Sequence, residues 1–433
     1  MRAHGDHQNE ESSTYDLAVP AFVLRIGQYP LHAGSLGIVR SLGRLGIPVY
    51  GVYESRFSPA ATSKYLAGRF IWPTEPRDAD LLLKGILAIA AVIGKPAVLI
   101  PTDDFGAILI SEHANALEQA FLFPRQPAGL PRQLANRKEL YLLCRRLGVG
   151  CADTAFSDSP AELEDLIARA GFPLVSKVVE PWKSRPGARL LNTRLLRSRE
   201  EVRAVLDAAR NADALPILFQ EVIPGRGADW FFHGYSNAES VCVASFTGRK
   251  YRSYPPHAGR TAYCRSEENE ELRATAEHLI RAISYRGIMD LDWRFDVRDG
   301  RYKLLDFNPR IGAQFRLFEN ANGIDVVRAM HLDLTGRHVL PAPTRQRSFM
   351  VEDLDLGALA AYRRAGETDF ATWLDDARGA SEFGWFARDD LLPFCAMVLG
   401  QVRNLAAKKL GWGARPGPNL LMAEPQYHSG RLA

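Results

Sequence analysis

The sequence predicts an α/β domain that leads into an α+β region and ends in a mostly helical C-terminal extension. Three observations carry this. From residue 21 short apolar runs alternate with helical periods, which is the pattern of a parallel sheet with crossover helices. Past residue 124 the strand patterns fall in neighbouring runs, as antiparallel pairing allows. Past residue 337 the stretch RHVLPAPTRQRSF reads as a linker to a charged, tryptophan-containing tail.

Taken in order, residues 1–20 form a polar leader with no apolar h-region, expected to be disordered. The α/β domain covers 21–124, with strands at AFVLRIG, IPVYGVY and AVLIPTDD, and helices over SLGIVRSLGRLG and about residues 78 to 93. Ligands of parallel sheets bind at the carboxyl ends of strands, where Asp103 and Asp104 fall. Gly27, Gly34 and Gly37 do not make a GxGxxG fingerprint, so a dinucleotide site is not supported. Prolines and glycines in FPRQPAGLPR mark a boundary, and a second domain runs over 125–337. In it, LANRKELYLLCRRLGVG is a helix with Leu140, Leu143, Cys144 and Leu147 on one face, ending at Gly148. Two later helices open with Ser-x-x-Glu capping boxes at Ser159 and Ser198. The extension covers 338–433.

Bulk properties narrow the function classes. With 433 residues, 46% of them hydrophobic, the chain has room for two or three domains. A net charge of +4 is too small to call for nucleic acid as a partner, although the segment past residue 400 is basic. The apolar run LLPFCAMVLG is ten residues long and holds Pro393, too short for a transmembrane segment. Five cysteines, odd in number and without metal spacing, read as reduced packing residues of a cytoplasmic protein.

The chemistry concentrates in one hairpin, MDLDWRFDVRDGRYKLLDFNPR. Its first strand puts Asp290, Asp292, Arg294 and Asp296 on one face and Leu291, Trp293, Phe295 and Val297 on the other. A three-residue loop, Arg298 to Gly300, with Gly300 left-handed, would place Asp292 opposite Asp306 and Asp290 opposite Asn308. A two-residue loop would turn Asp306 into the core, at high cost. Facing carboxylates about 5 Å apart at Cβ repel unless a cation lies between them. Mg²⁺ suits such oxygens, completed by water and phosphate, and Arg310 stands beside it to meet a phosphate bidentately. A solvated hairpin whose acids pair with Arg294 and Arg310 is the other reading of the same residues.

This hairpin resembles the metal-binding hairpin of the ATP-grasp superfamily. The resemblance implies a two-lobed ATP-grasp domain over 125–337 behind a pre-ATP-grasp domain, and Asp292, Asp306 and Asn308 as ligands of Mg²⁺, or Mn²⁺, held against ATP. Asp306 stands where the family more often has glutamate. Lys138 resembles the first phosphate-binding lysine and Lys177 the strand lysine that meets the α- and β-phosphates. FQEVIPGRGAD resembles the inter-lobe linker, with Glu221, Val222 and Ile223 at the adenine and Asp229 at the ribose. The loop after Lys177 is glycine-poor, with Gly187 alone, so Lys183, Arg185 and Arg189 are expected to neutralise phosphate there.

The family's chemistry implies a carboxylate-amine ligase. Phosphoryl transfer to a small-molecule carboxylate yields an acyl phosphate, an amine attacks it, and ADP and phosphate leave. Arg310 and Arg252 are the expected stabilisers of the intermediate; Arg252, His257 and Arg260 in GRKYRSYPPHAGRTAY offer a cationic pocket, and Gln314 and Arg316 its further lining. A non-catalytic nucleotide-binding module is the alternative that the glycine-poor loop would favour. Oligomeric state is not determined by these residues.

Overall fold

A computed structural model describes residues 15–27, 31–72, 78–183, 193–211, 215–225, 227–257, 259–409 and 425–429. Three sheets organise them. In the first, five parallel strands lie in the spatial order Leu66–Ile71, Val49–Tyr53, Ala21–Leu24, Ala97–Pro101, Phe121–Leu122. Both faces are covered, because alternate residues of one strand feed different cores: Ala21 and Val23 one, Phe22 and Leu24 the other. The helix expected near 78 to 93 is Ala79–Ile93, capped by Asp78 and ended at left-handed Gly94.

The second sheet has the strands Thr154–Phe156, Ile217–Glu221, Leu174–Val178 and Arg194–Leu196, in that order and antiparallel. Helices Pro160–Ala170 and Arg199–Asn211 share its core. Ser159 makes no side-chain cap, and Glu201 reaches back to the Arg197 N–H at 2.6 Å, so neither predicted capping box closes reciprocally. The third sheet runs Arg301–Asn308, Gly287–Asp296, Asp229–Ser236, Cys242–Tyr254, Arg260–Ser266, Ser348–Met350, Glu382–Phe383. The linker expected to join two lobes does so, since the second sheet ends at Glu221 and the third takes up the chain at Asp229.

The acidic hairpin has the predicted pairing for a different reason. Asp292 faces Asp306 and Asp290 faces Asn308. The turn, however, is four residues long: Asp296 pairs with Arg301, and the Gly300 N–H donates to the Asp296 carbonyl at 2.8 Å with Gly300 at φ +67°. Without correction this turn would leave Asp306 on the face of Leu304, in the core. A bulge opposite the Asp292 to Trp293 step, where Leu305 is the extra residue, moves Asp306 to the polar face. Leu304 and Phe307 stay buried on the other side.

Two boundaries differ from expectation. Residues 1–14 of the leader lie outside the described residues, but Tyr15 packs against the His331 ring, and His331 Nε2 lies 3.0 Å from the Val19 carbonyl. The C-terminal extension is helical only in part, at Glu352–Arg364, Phe370–Arg378 and Leu392–Lys409. Its strands Ser348–Met350 and Glu382–Phe383 complete the third sheet, and Gln426–Ser429 covers the open edge strand Leu66–Ile71 of the first. It is woven into both sheets, because each offers an unpaired edge that local periodicity cannot reveal.

Candidate nucleotide and metal site

Residues of the second and third sheets line a cleft with about 310 Å³ of non-atom space, partly open to solvent, whose walls include Arg137, Lys177, Leu218, Gln220, Leu304 and Leu305. Two of these residues, Arg137 and Lys177, meet on Asp306. Its Oδ1 accepts from Arg137 Nε at 2.7 Å and its Oδ2 from Lys177 Nζ at 2.8 Å. Burial alone would raise this carboxyl, but the two cations hold it well below the usual carboxylate range. Lys177 projects from Leu174–Val178, as predicted.

Arg137 was not foreseen; Lys138 was. The helix Arg137–Leu147 starts at Asn136, whose side chain accepts from the Lys138 and Glu139 amides. Lys138 then points to solvent and pairs with Asp158 at 2.7 Å. Arg137 lies three and seven residues before Leu140 and Cys144, the buried stripe, and so turns inward. The helix phase carried this signal, and choosing between adjacent cations needed only that phase.

Asp292 lies 3.3 Å from Lys250 Nζ on Cys242–Tyr254. Burial pushes its carboxyl up against the pull of Lys250, and Asp290 and Asp306 push it further. Asp290 sits 2.9 Å from His233 Nε2 and 3.4 Å from Arg310 Nη1. Lys250 and His233 left no signal in spacing, since they arrive through sheet order. Gly312 lets the chain pass: a Cβ there would come within 2.5 Å of Asp290 Oδ2 and 2.4 Å of the His233 ring. Arg310 donates to Asn308 Oδ1 at 2.9 Å, to the Ile311 carbonyl at 2.9 Å and to Asp104 at 3.2 Å, tying the hairpin to the carboxyl end of the first sheet. Neighbouring Asp103 caps the helix Asp104–Glu112 and accepts from the Ile26 amide at 2.6 Å.

Three of the expected linker residues are already engaged. Glu221 accepts from the Asp153 amide and pairs with Arg298 at 2.7 Å. Arg294 donates to the Ile223 carbonyl at 2.7 Å and pairs with Asp229. Val222 follows Glu221 in the same linker.

Arg252 is a correction. It lies outside the acidic cluster, buried, with Nε and Nη2 on Asp355 at 2.9 and 3.1 Å and Nη1 on Asp376. Both acids belong to the C-terminal helices, so this guanidinium fastens the extension to the sheet. His257 pairs with Glu367 at 3.1 Å, exposed. Arg316 is buried among Asp325, Glu319 and Glu382, while Gln314 Nε2 lies 3.3 Å from His233 Nε2. Lys183 pairs with Glu180 at 2.7 Å; Arg185, Gly187 and Arg189 lie outside the described residues.

The donor set fits a hard divalent cation: two facing carboxylates and one amide oxygen on a single sheet face. Among the described residues no group of three or more His, Cys, Asp and Glu forms an all-protein metal cage. Mg²⁺ takes one or two carboxylates and leaves the rest to water and phosphate, and Asp292 and Asp306 supply two.

A parallel domain followed by two mainly antiparallel sheets, with Lys177 of one meeting the acidic hairpin of the other, is the arrangement that the ATP-grasp resemblance implies. The resemblance read from the hairpin is confirmed by likeness to known proteins. Residues 261–335 match the family model described as carbamoyl-phosphate synthase L chain, ATP binding domain. The chain is 24% identical to a D-aspartate ligase of Enterococcus faecium over 253 residues, 54% of this chain and 58% of that one. With the carbamoyl phosphate synthase large chain of Methanoregula boonei it shares 22% over 200 residues, 45% of this chain and 18% of that one. The chain thus spans little more than half the length of the first relative and under a fifth of the second. In fold it is similar to the biotin carboxylase domain of Hydrogenobacter thermophilus 2-oxoglutarate carboxylase, solved with MgADP, ADP and bicarbonate: TM-score 0.54 at 16% identity, over 74% of this chain and 71% of that one. Among the described residues no helix is long and apolar enough to cross a membrane.

Proposed function

We propose that the protein is an ATP- and Mg²⁺-dependent carboxylate-amine ligase that forms an amide or peptide bond through an acyl phosphate. The observation that carries this is the Asp306 carboxylate, opposite Asp292 and shared by Arg137 and by Lys177 of the facing sheet. In this reading the two cations rest on Asp306 until triphosphate enters, then turn to the phosphates. Asp292, Asp306 and Asn308 hold Mg²⁺, with Mn²⁺ as a substitute; the ion neutralises β- and γ-phosphate oxygens when bound. Glu221, Val222 and Ile223 border the adenine and Asp229 the ribose, which requires Arg294 to share its partners.

The acceptor carboxylate oxygen bonds to the γ-phosphorus as the bond from that phosphorus to the β-bridging oxygen breaks, releasing ADP. An amine then attacks the acyl carbon, phosphate leaves with the electron pair of the C–O bond, and the amine proton passes to solvent. Arg310, held by Asn308 and Asp104, stabilises the charge of the phosphorylated intermediate. The names of the relatives, a D-aspartate ligase and carbamoyl phosphate synthases, support small-molecule carboxylate and amine substrates. Five free cysteines support a reducing, cytoplasmic setting.

The test is ADP and phosphate release from ATP, Mg²⁺ and pooled carboxylates and amines, with mass spectrometry for new amides. Release above an Asp306→Ala control is expected; ATP binding without release from any pool would instead support the non-catalytic module.

A further inference from the structure

Beyond Arg310 a cavity with about 520 Å³ of non-atom space, partly open to solvent, lies between the first and third sheets. One wall is the end of the strand Ala97–Pro101 and the helix Asp104–Glu112; the other is the start of Gly287–Asp296 with Pro309 to Ile311. Leu99, Ile110, Phe123, Ile288 and Met330 make it largely apolar. Its polar atoms are few and placed. The Gln126 side chain bonds both the amide and the carbonyl of Arg286, fixing that wall. Ser111 Oγ and Arg286 Nε are buried and have no hydrogen-bond partner, although both residues line the cavity. Buried donors left unpaired are costly, so such atoms point to a ligand that completes them.

We infer that this cavity is the subsite for the body of the acceptor: a small carboxylic acid with an aliphatic or aromatic body and a hydrogen-bonding group at its far end. The inference rests on the ligase reading for its chemistry and on the cavity for its specificity. Arg310 is the shared wall. Its Nη2 donates to Asn308 and keeps a second hydrogen, so an acid whose carboxylate reaches Arg310 has its reacting oxygen at the metal hairpin and its body in the apolar cavity. The far group then meets Ser111 Oγ and Arg286 Nε. Apolar cavities with a few converging polar groups are the common form of a small-molecule site.

The experiment is an NMR titration of the full chain, with ADP and Mg²⁺ present, by 3-phenylpropanoate, 3-(4-hydroxyphenyl)propanoate and acetate. Wild type should bind 3-phenylpropanoate at least about tenfold more tightly than acetate, as burial of a ring predicts. The hydroxylated acid should bind tighter still, and Ser111→Ala should remove that increment alone. Ser111→Phe, which fills the cavity, should abolish the preference for both aromatic acids while ADP binding stays unchanged. If that variant does not fold, Ala107→Leu on the same helix fills the same space. Equal affinity for 3-phenylpropanoate and acetate, or a preference untouched by the filling variant, overturns the inference. Because binding is read without turnover, failure of the ligase reading shows separately, as aromatic acids that bind but release no ADP from ATP.

Discussion

Two acid–guanidinium constellations on the third sheet look alike in sequence and behave oppositely in the fold. Around Arg252, one guanidinium meets Asp355 twice and Asp376 once, in a buried place where every partner is protein. Around Asp306, one carboxylate meets Arg137 from a neighbouring helix and Lys177 from another sheet, and both cations also line a cleft. The first arrangement is closed and serves adhesion between the extension and the sheet. The second is a pair of facing acids whose positive partners, in the proposed reading, turn to phosphate. A charged residue near a predicted site is therefore informative only once its partners, and the space beside them, are known.

This contrast can be broken experimentally, beginning where the largest effect is expected. Asp306→Ala should lower ATP-dependent turnover by at least about a thousandfold, with ATP binding only partly reduced; turnover equal to wild type would sink the site assignment. Arg252→Met should do the reverse. Removing one partner of a buried ion pair costs about 3–5 kcal/mol, visible in urea unfolding, while kcat at low temperature stays within about twofold of wild type.

Lys177→Ala and Arg137→Ala should each weaken nucleotide binding by about 1.5–3 kcal/mol, the worth of a charge-assisted hydrogen bond. Lys138→Ala should change it by less than about twofold, because its partner Asp158 is a surface carboxylate and such pairs contribute about 0–1 kcal/mol. Isothermal titration with ATP separates them; a larger loss at Lys138 than at Arg137 would reverse the assignment within that helix.

The smallest effect concerns Asp103, beside the Asp104–Arg310 link. Burial pushes its carboxyl up to about 6 from 3.8, against the Ile26 and Gly106 amides that pull it down. Between those values the folded chain binds a proton that the unfolded chain has released. Its contribution to stability therefore falls as pH rises through about 4 to 6, and Asp103→Asn should flatten that part of a stability–pH profile measured by denaturant unfolding.

Much of the fold was legible because its signals are local. Alternation over Asp290 to Val297 defines two faces of a strand, alternating apolar runs and helical periods define a parallel domain, and Gly148 and Gly94 end helices where left-handed backbone is needed. The facing of Asp292 and Asp306 was also legible, although the route differed: a longer turn and a compensating bulge reach the pairing that burial of Leu304 and Phe307 demands. Arg137 could have been read from the phase of its helix. Arg252 could not, since the stretch around it is basic and aromatic in either role.

By itself, then, the sequence determined what periodicity and backbone chemistry govern: the order of domains, the faces of the hairpin, and which acids must share one side. Tertiary structure alone decided the partners. Asp306 meets Lys177 across 129 residues and Arg137 across 169, and Arg252 meets Asp355 across 103. Such pairings depend on the order in which strands join a sheet and on which edges remain open. Charge attraction is long in reach and poor in direction, so it follows the packing of the apolar faces rather than choosing it.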